Sequence, residues 1–192
     1  LNVKTLALLL IFLAVFIGSG VFINYNTKTL NKYATVEAGT IGRANYEKDL
    51  GKYDKIAQPK VIDVKVHADL MPEERSAMIK TTFTMVNKSD EVIDSLHLNW
   101  GREGLLKKEI QSFTLDGKSP ELGKRFDDYG YEIYAFDNPL MPKDTITLEL
   151  KVSANYKGFP NEGSGSDIVY NGTFLNNKFF PSFGYSTQGE LS

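Results

Sequence analysis

The sequence predicts a mostly β protein: an antiparallel β-sandwich or saddle-like β domain, preceded by one transmembrane α-helix and a short helical stalk. Three observations carry this. An uncharged run, "LALLLIFLAVFIGSGVFI", opens the chain from Leu6 to Ile23. Beyond Pro59 the apolar period becomes two, in "VIDVKVHADL", "AMIKTTFTMVN" and "TITLELKVSANY". Polar, turn-forming stretches such as "MPEERS", "NKSDE" and "NPLMPKD" separate the alternating runs, the spacing expected of an antiparallel all-β domain.

The opening run is about 18 residues long, close to the ~20 that a helix needs to cross a bilayer core. Lys4 precedes it, and Tyr25 follows where an aromatic suits the headgroup region. A buried core helix and a cleaved signal peptide remain as other readings, the second because "IGSGV" supplies small residues. Lys28 and Lys32 offset Lys4, so charge alone does not orient the span. The first residue is Leu1, which suggests a piece of a longer product or a processed one. The expected division is 1–26 as transmembrane helix, 27–58 as juxtamembrane stalk and 59–192 as β domain.

In the stalk, "YEKDLGKYDKI" places Tyr46, Leu50 and Tyr53 at helical spacing, a stripe suited to docking on the domain's flank. Gly39 and Gly42 interrupt the stretch before it, and Gln58-Pro59 ends any helix. In the first strand Ile62, Val64, Val66, Ala68 and Leu70 share one face, expected to be buried. Ile79, Thr81, Phe83 and Met85 do so in the second; Leu96, Leu98 and Trp100 follow in "VIDSLHLNW". "IQSFTLDGKSPEL" reads as a strand entering an Asp116-Gly117 hairpin turn. "YEIYAFD" reads as a short strand ended by "NPLMPKD", whose prolines argue against a central strand there. The clearest strand has Ile146, Leu148, Leu150 and Val152 on one face. A glycine-rich loop, "GFPNEGSGSD", then leads to an aromatic stretch, "NGTFLNNKFFPSFGY".

The chemistry-bearing residues are few. A net charge of -2 and a pI near 5.8 leave no basic footprint for nucleic acid. The chain has no cysteine, which excludes disulfides and thiolate metal sites. Its two histidines, His67 and His97, fall on the outward side of their strands, opposite the apolar set, and read as structural or surface residues. Glu73-Glu74 and Asp127-Asp128 sit in turn-like stretches rather than in the opposed environments an acid/base pair needs. "GSGSD" lacks the lysine and following helix of a phosphate loop, and no G-x-S-x-G or H-E-x-x-H occurs. Asn87-Lys88-Ser89 and Asn171-Gly172-Thr173 match a glycosylation sequon, relevant only in a eukaryotic secretory setting. No catalytic, cofactor-binding or metal-ligating residue is assigned.

The order of "DVKVHADLMPEERS" and "TFTMVNKSDEVIDSLHLNW" resembles the amino-terminal β domain of the aminopeptidase N family of zinc metallopeptidases. "ANYEKDLGKYDKIAQPKVIDVKVHADLMPEERSAMIKTTFTMVNKSD" and "IVYNGTFLNNKFFPSFGYSTQGELS" look like a bacterial subgroup of it. In that subgroup a peptidase-like region is joined to the membrane helices of an ABC transporter permease. The resemblance implies a non-catalytic, extracytoplasmic β domain at the bacterial inner membrane, positioning a downstream zinc peptidase-like domain. It implies the lipid bilayer and that domain as partners, with peptides as a further one, and zinc in the parent protein but none in this chain. It also makes "FFPSFGY" the lead into the catalytic domain, with Phe174, Phe179, Phe180, Pro181, Phe183 and Tyr185 as junction candidates. Some of those rings would instead complete the β domain's own core. The sequence departs from the family at "NGTFLNN", where a Gln-Phe-Glu-like element is usual, so no substrate-binding residue is carried over. Two alternatives accompany this reading: a membrane-anchored β-sandwich binding module, and a purely structural extracytoplasmic part of a transporter.

Overall fold

The computed structural model describes residues 2–31, 33, 35–102, 104–160 and 166–191. It is a helix, a stalk helix and two antiparallel sheets. The first helix, α1 (Val3–Asn24), begins with the Asn2 side chain accepting from the Lys4 amide. It runs on through a π-helical turn, Tyr25–Leu30. Together they form a 28-residue helix long and apolar enough to cross a membrane, none of whose apolar window is buried in the protein. α2 (Val36–Leu50) starts at Thr35, whose Oγ1 accepts from the Ala38 amide at 3.1 Å. It passes through both Gly39 and Gly42, which interrupt nothing. At Gly42 the bare backbone face lets the Arg102 guanidinium come close: a Cβ there would lie 2.3 Å from Nη1.

The strands are β1 (Lys60–Met71), β2 (Ser76–Val86), β3 (Ile93–Asn99), β4 (Leu106–Leu115), β5 (Leu122–Phe126), β6 (Tyr131–Leu140), β7 (Thr145–Tyr156) and β8 (Ser182–Phe183). One sheet has the order β1-β2-β7-β4 and the other β5-β6-β3-β8. The alternation read in β2 and β7 is the core pattern: Phe83, Met85, Leu148, Leu150 and Val152 meet Leu96, Leu98 and Tyr134 of the second sheet. The first sheet outruns the second. Its far end, with Ala77, Ile79, Ala154 and Tyr156, is capped by Ile168 and Phe179 from the C-terminal segment.

Four expectations change on this frame. The first concerns β1, whose apolar face was expected to be buried. Val64, Val66, Ala68 and Leu70 do share the face of Phe83, Thr81, Ile79 and Ala77, their partners across the ladder. Yet Val64 is 47% and Val66 48% exposed, because β1 is the sheet's edge and the shorter second sheet does not reach it. A bulge between Val61 and Asp63 also takes Ile62 out of phase and pairs Val61 with Met85 in its place.

The second is the hairpin. Asp116 and Gly117 do form a tight turn with φ of 47° and 79°, closed by a Leu115–Lys118 bridge. The chain then crosses to the other sheet as β5 instead of returning along β4. The third is β6, which continues through Pro139 to Leu140. Its partner β5 is already spent beyond Tyr134, so Pro139 faces no ladder on that side. The fourth is His97, whose outward face, opposite the apolar set, is itself covered, so that the ring is a buried structural one, as described below. The acidic pairs lie in 3-10 turns, Pro72–Glu74 and Asp127–Tyr129, each closed by a left-handed residue, Arg75 or Gly130. Most of "GSGSD" lies outside the described residues.

Candidate functional site

α2 and the turn after it lie along the outer face of the second sheet. Tyr46 and Leu50 are buried there with Tyr129 and Tyr131, and Tyr53 packs beside them. The hydroxyl of Tyr46 accepts from Asn99 Nδ2 at 3.2 Å and from the Ser186 amide at 3.1 Å. Its ring stacks on Tyr185 with centroids 5.2 Å apart. Burial is the main reason its pKa is raised, against the two hydrogen bonds it accepts, which lower it. Tyr129 donates to Asp49 at 2.6 Å, a second tie between the stalk helix and the domain.

This cover explains His97, which is only 2% exposed. Its Nδ1 lies 2.8 Å from Tyr131 Oη and its Nε2 3.1 Å from Ser95 Oγ, while its amide donates to Gln58 Oε1 at 2.8 Å. The Tyr53 ring stands edge-on to the imidazole at 5.2 Å. Desolvation pulls its pKa down to about 4, so the ring is neutral near pH 7. His67, by contrast, is exposed on β1 and lies 3.3 Å from Asp69.

The main concavity, about 850 Å³, opens between β1 and the C-terminal segment. Val61, Val64 and Phe83 of the first sheet line it together with Trp100, Phe180, Pro181 and Tyr46. Arg43, Arg102 and Lys178 supply its charge, and no described lining residue is acidic. It is therefore an apolar trough with a cationic rim. Lys178 pairs with Asp167, whose pKa is lowered chiefly by that hydrogen bond. Lys108 braces the wall from behind, donating to the Trp100 and Lys178 carbonyls at 2.9 and 3.2 Å. Burial brings its pKa down to about 8.

The aromatic terminus divides over these features. Phe179 is fully buried in the core beneath the C-terminal segment. Phe180 and Phe183 meet Phe83 edge-on at 6.2 and 5.4 Å. Pro181 is buried in the trough wall. Tyr185 stacks on Tyr46 and donates to Glu190 at 2.8 Å. Phe174 alone of the six is open to solvent, 69% exposed. The trough is not legible in the sequence, where the apolar face of β1 reads like the covered face of β2.

Among the described residues no cluster of three His, Asp or Glu side chains could hold a metal. Both ring nitrogens of His97 are engaged by hydroxyls, and His67 has one carboxylate beside it. The described residues do not fit a zinc ion. Asn87, one of the sequon residues, is buried and donates to the Glu91 and Leu140 carbonyls at 2.7 and 2.9 Å, so its role is to close the β2–β3 turn.

Neither a protein-family model nor a curated protein matches the sequence. Among solved structures the chain is similar to an M1 zinc metallopeptidase from Deinococcus radiodurans. The two share 17% identity over 54% of this chain and 21% of that one, with a TM-score of 0.39. It is similar to leukotriene A4 hydrolase from Saccharomyces cerevisiae at 17% identity over 54% and 17% of the two chains, TM-score 0.36. A carbohydrate-binding module, CBM3b of cellobiohydrolase 9A from Clostridium thermocellum, aligns at 19% identity over 68% and 95%, TM-score 0.27. The chain thus spans about a fifth of the length of the metallopeptidases it is similar to.

Proposed function

We propose that this chain is the membrane-anchored, non-catalytic β domain of a larger peptidase-like protein, and that β1 with its trough is the seat of a downstream domain. One observation carries the reading: Val64, Val66 and Leu70 continue the buried face of the first sheet, with Ala68 packed at its end, yet among the described residues they stay 47%, 48% and 40% exposed. Burying a valine or leucine side chain contributes about 1.5–3 kcal/mol. An edge strand of 12 residues left uncovered is also a pairing and aggregation hazard. Its outer face carries Lys65, His67 and Asp69, which suits solvent; its inner face suits another domain.

In this reading α1 crosses the bacterial inner membrane and the β domain stands outside the cytoplasm. The parent protein joins it to transporter permease spans. Zinc, and the chemistry of removing amino-terminal residues from peptides, belong to the downstream domain in this reading, which agrees with the described residues not fitting the metal. This chain's part is to fix that domain's distance and angle from the membrane. Reading the coding sequence on both sides tests it. The expectation is a downstream H-E-x-x-H with a glutamate about one helix further on, and apolar spans upstream. A coding sequence lacking both contradicts it.

A second reading rests on the acid-free, cationic rim of the trough: the domain itself holds a peptide bearing a carboxylate. Titration of a labelled acidic peptide, against its neutral amide counterpart, distinguishes this from a domain seat.

A further inference from the structure

We infer that the β domain lies directly on the bilayer, through an aromatic face built from Phe159, Tyr170 and Phe174. This rests on the reading of α1 as a membrane span. The helix does not leave the domain on a free tether. The Phe22 ring, inside the apolar run, meets Phe159 with centroids 5.7 Å apart. Asn31, just past the helix, donates to the Lys157 carbonyl at 2.9 Å. Gly158, at φ +65°, fits against Asn26 and Asn31, where a Cβ would come within 2.7 Å of Asn26 Oδ1. Arg75 Nη1 donates to the Gly158 carbonyl from the neighbouring β1–β2 turn at 2.9 Å. If Phe22 lies in hydrocarbon, the loop that touches it lies at the hydrocarbon boundary.

The exposed aromatics belong to the same end of the domain. Tyr156, one residue before Lys157, donates to Asp167 at 2.8 Å, and the Phe174 amide donates to the Asp167 carbonyl at 3.0 Å. Ile168 anchors this loop in the core that closes the same end of the long sheet. From that fixed base Tyr170 stands 82% and Phe174 69% exposed. A buried anchor beside open aromatic tips makes little sense in water. It suits the headgroup layer, where aromatic rings find apolar contact and a hydroxyl stays wet. Exposed Lys28 and Lys157 at the same end suit lipid phosphates.

The chain has no cysteine, so a single introduced thiol reports one place. The experiment uses the full chain in phosphatidylcholine–phosphatidylglycerol vesicles. An environment-sensitive fluorophore is carried in turn on Phe12→Cys, Tyr170→Cys, Phe174→Cys and Val92→Cys, with lipids spin-labelled near the headgroup or deep in the acyl chain. Val92, exposed beyond the opposite end of β2, is the control away from lipid. The inference expects loss of fluorescence at 170 and 174 with headgroup-proximal spin labels, and at 12 with deep ones. Positions 170 and 174 as unquenched as 92, with 12 quenched, overturn the inference and leave the span intact. Position 12 unquenched by either lipid overturns the span, and the inference with it.

Discussion

His97 and Tyr131 meet at 2.8 Å, Nδ1 to Oη, against the Tyr53 ring of the stalk. The histidine pKa is held down to about 4 in the fold by burial, against about 6.5 in an unfolded chain. A depressed folded value means the neutral ring's contribution is fully present above pH 6.5. It is lost as pH falls toward 4, by up to about 3 kcal/mol. Denaturant unfolding of the wild type and of His97→Gln at pH 7.5, 5.5 and 4.5 checks this. The gap between the two should narrow on acidification; a constant gap would mean the ring carries no such linkage.

Among the ties that hold the stalk helix, one hydroxyl, that of Tyr46, serves two donors. Tyr46→Phe keeps the stacked ring on Tyr185 but leaves Asn99 Nδ2 and the Ser186 amide without that acceptor. The expected cost is about 1–2 kcal/mol, read as a lower urea midpoint with the slope unchanged.

Two glycines should answer oppositely to alanine. At Gly42 the new methyl meets only the flexible end of Arg102, inside α2. Gly42→Ala is expected to be neutral or to stabilise by up to about 1 kcal/mol. At Gly130, φ is +61° and a Cβ would lie 2.2 Å from the Gly101 carbonyl oxygen, which is backbone and cannot yield cheaply. Gly130→Ala should cost more than about 2 kcal/mol. Thermal melts of both variants decide it.

If the inner face of β1 is a seat for another domain, its valines matter little to the chain alone. Val64→Asp with Val66→Asp should change its stability by less than about 1 kcal/mol. The same pair in the full-length gene product should loosen the contact, seen as new protease cleavage between the domains.

Much of the fold was legible in the sequence because strand alternation is a local property. Ile79, Phe83 and Met85, or Leu148 and Leu150, declare their shared face without reference to a partner. What alternation does not declare is whether a second layer reaches that face. It marks Val64 and Phe83 alike, yet one lies at an open edge and the other under the second sheet. His97 is the converse case, a position on the outward face that turns out to be covered. The cover over its face comes from Tyr53 and Gln58, some forty residues upstream, and no spacing within "VIDSLHLNW" records it. Pro139 was misread for a related reason: the ladder it would have broken had already ended with β5. Of the site, the aromatic residues were visible as a cluster. Their division into core rings, trough wall and one open tip is a tertiary fact.

The central claim is that β1 and the trough beside it are covered by another domain of the same protein. Amide hydrogen exchange over Lys60–Met71, compared between this chain in lipid nanodiscs and the full-length gene product, tests it most directly. The account predicts that exchange along β1 slows markedly in the longer protein while β7, already central, is unchanged. Equal rates for β1 in both would contradict it.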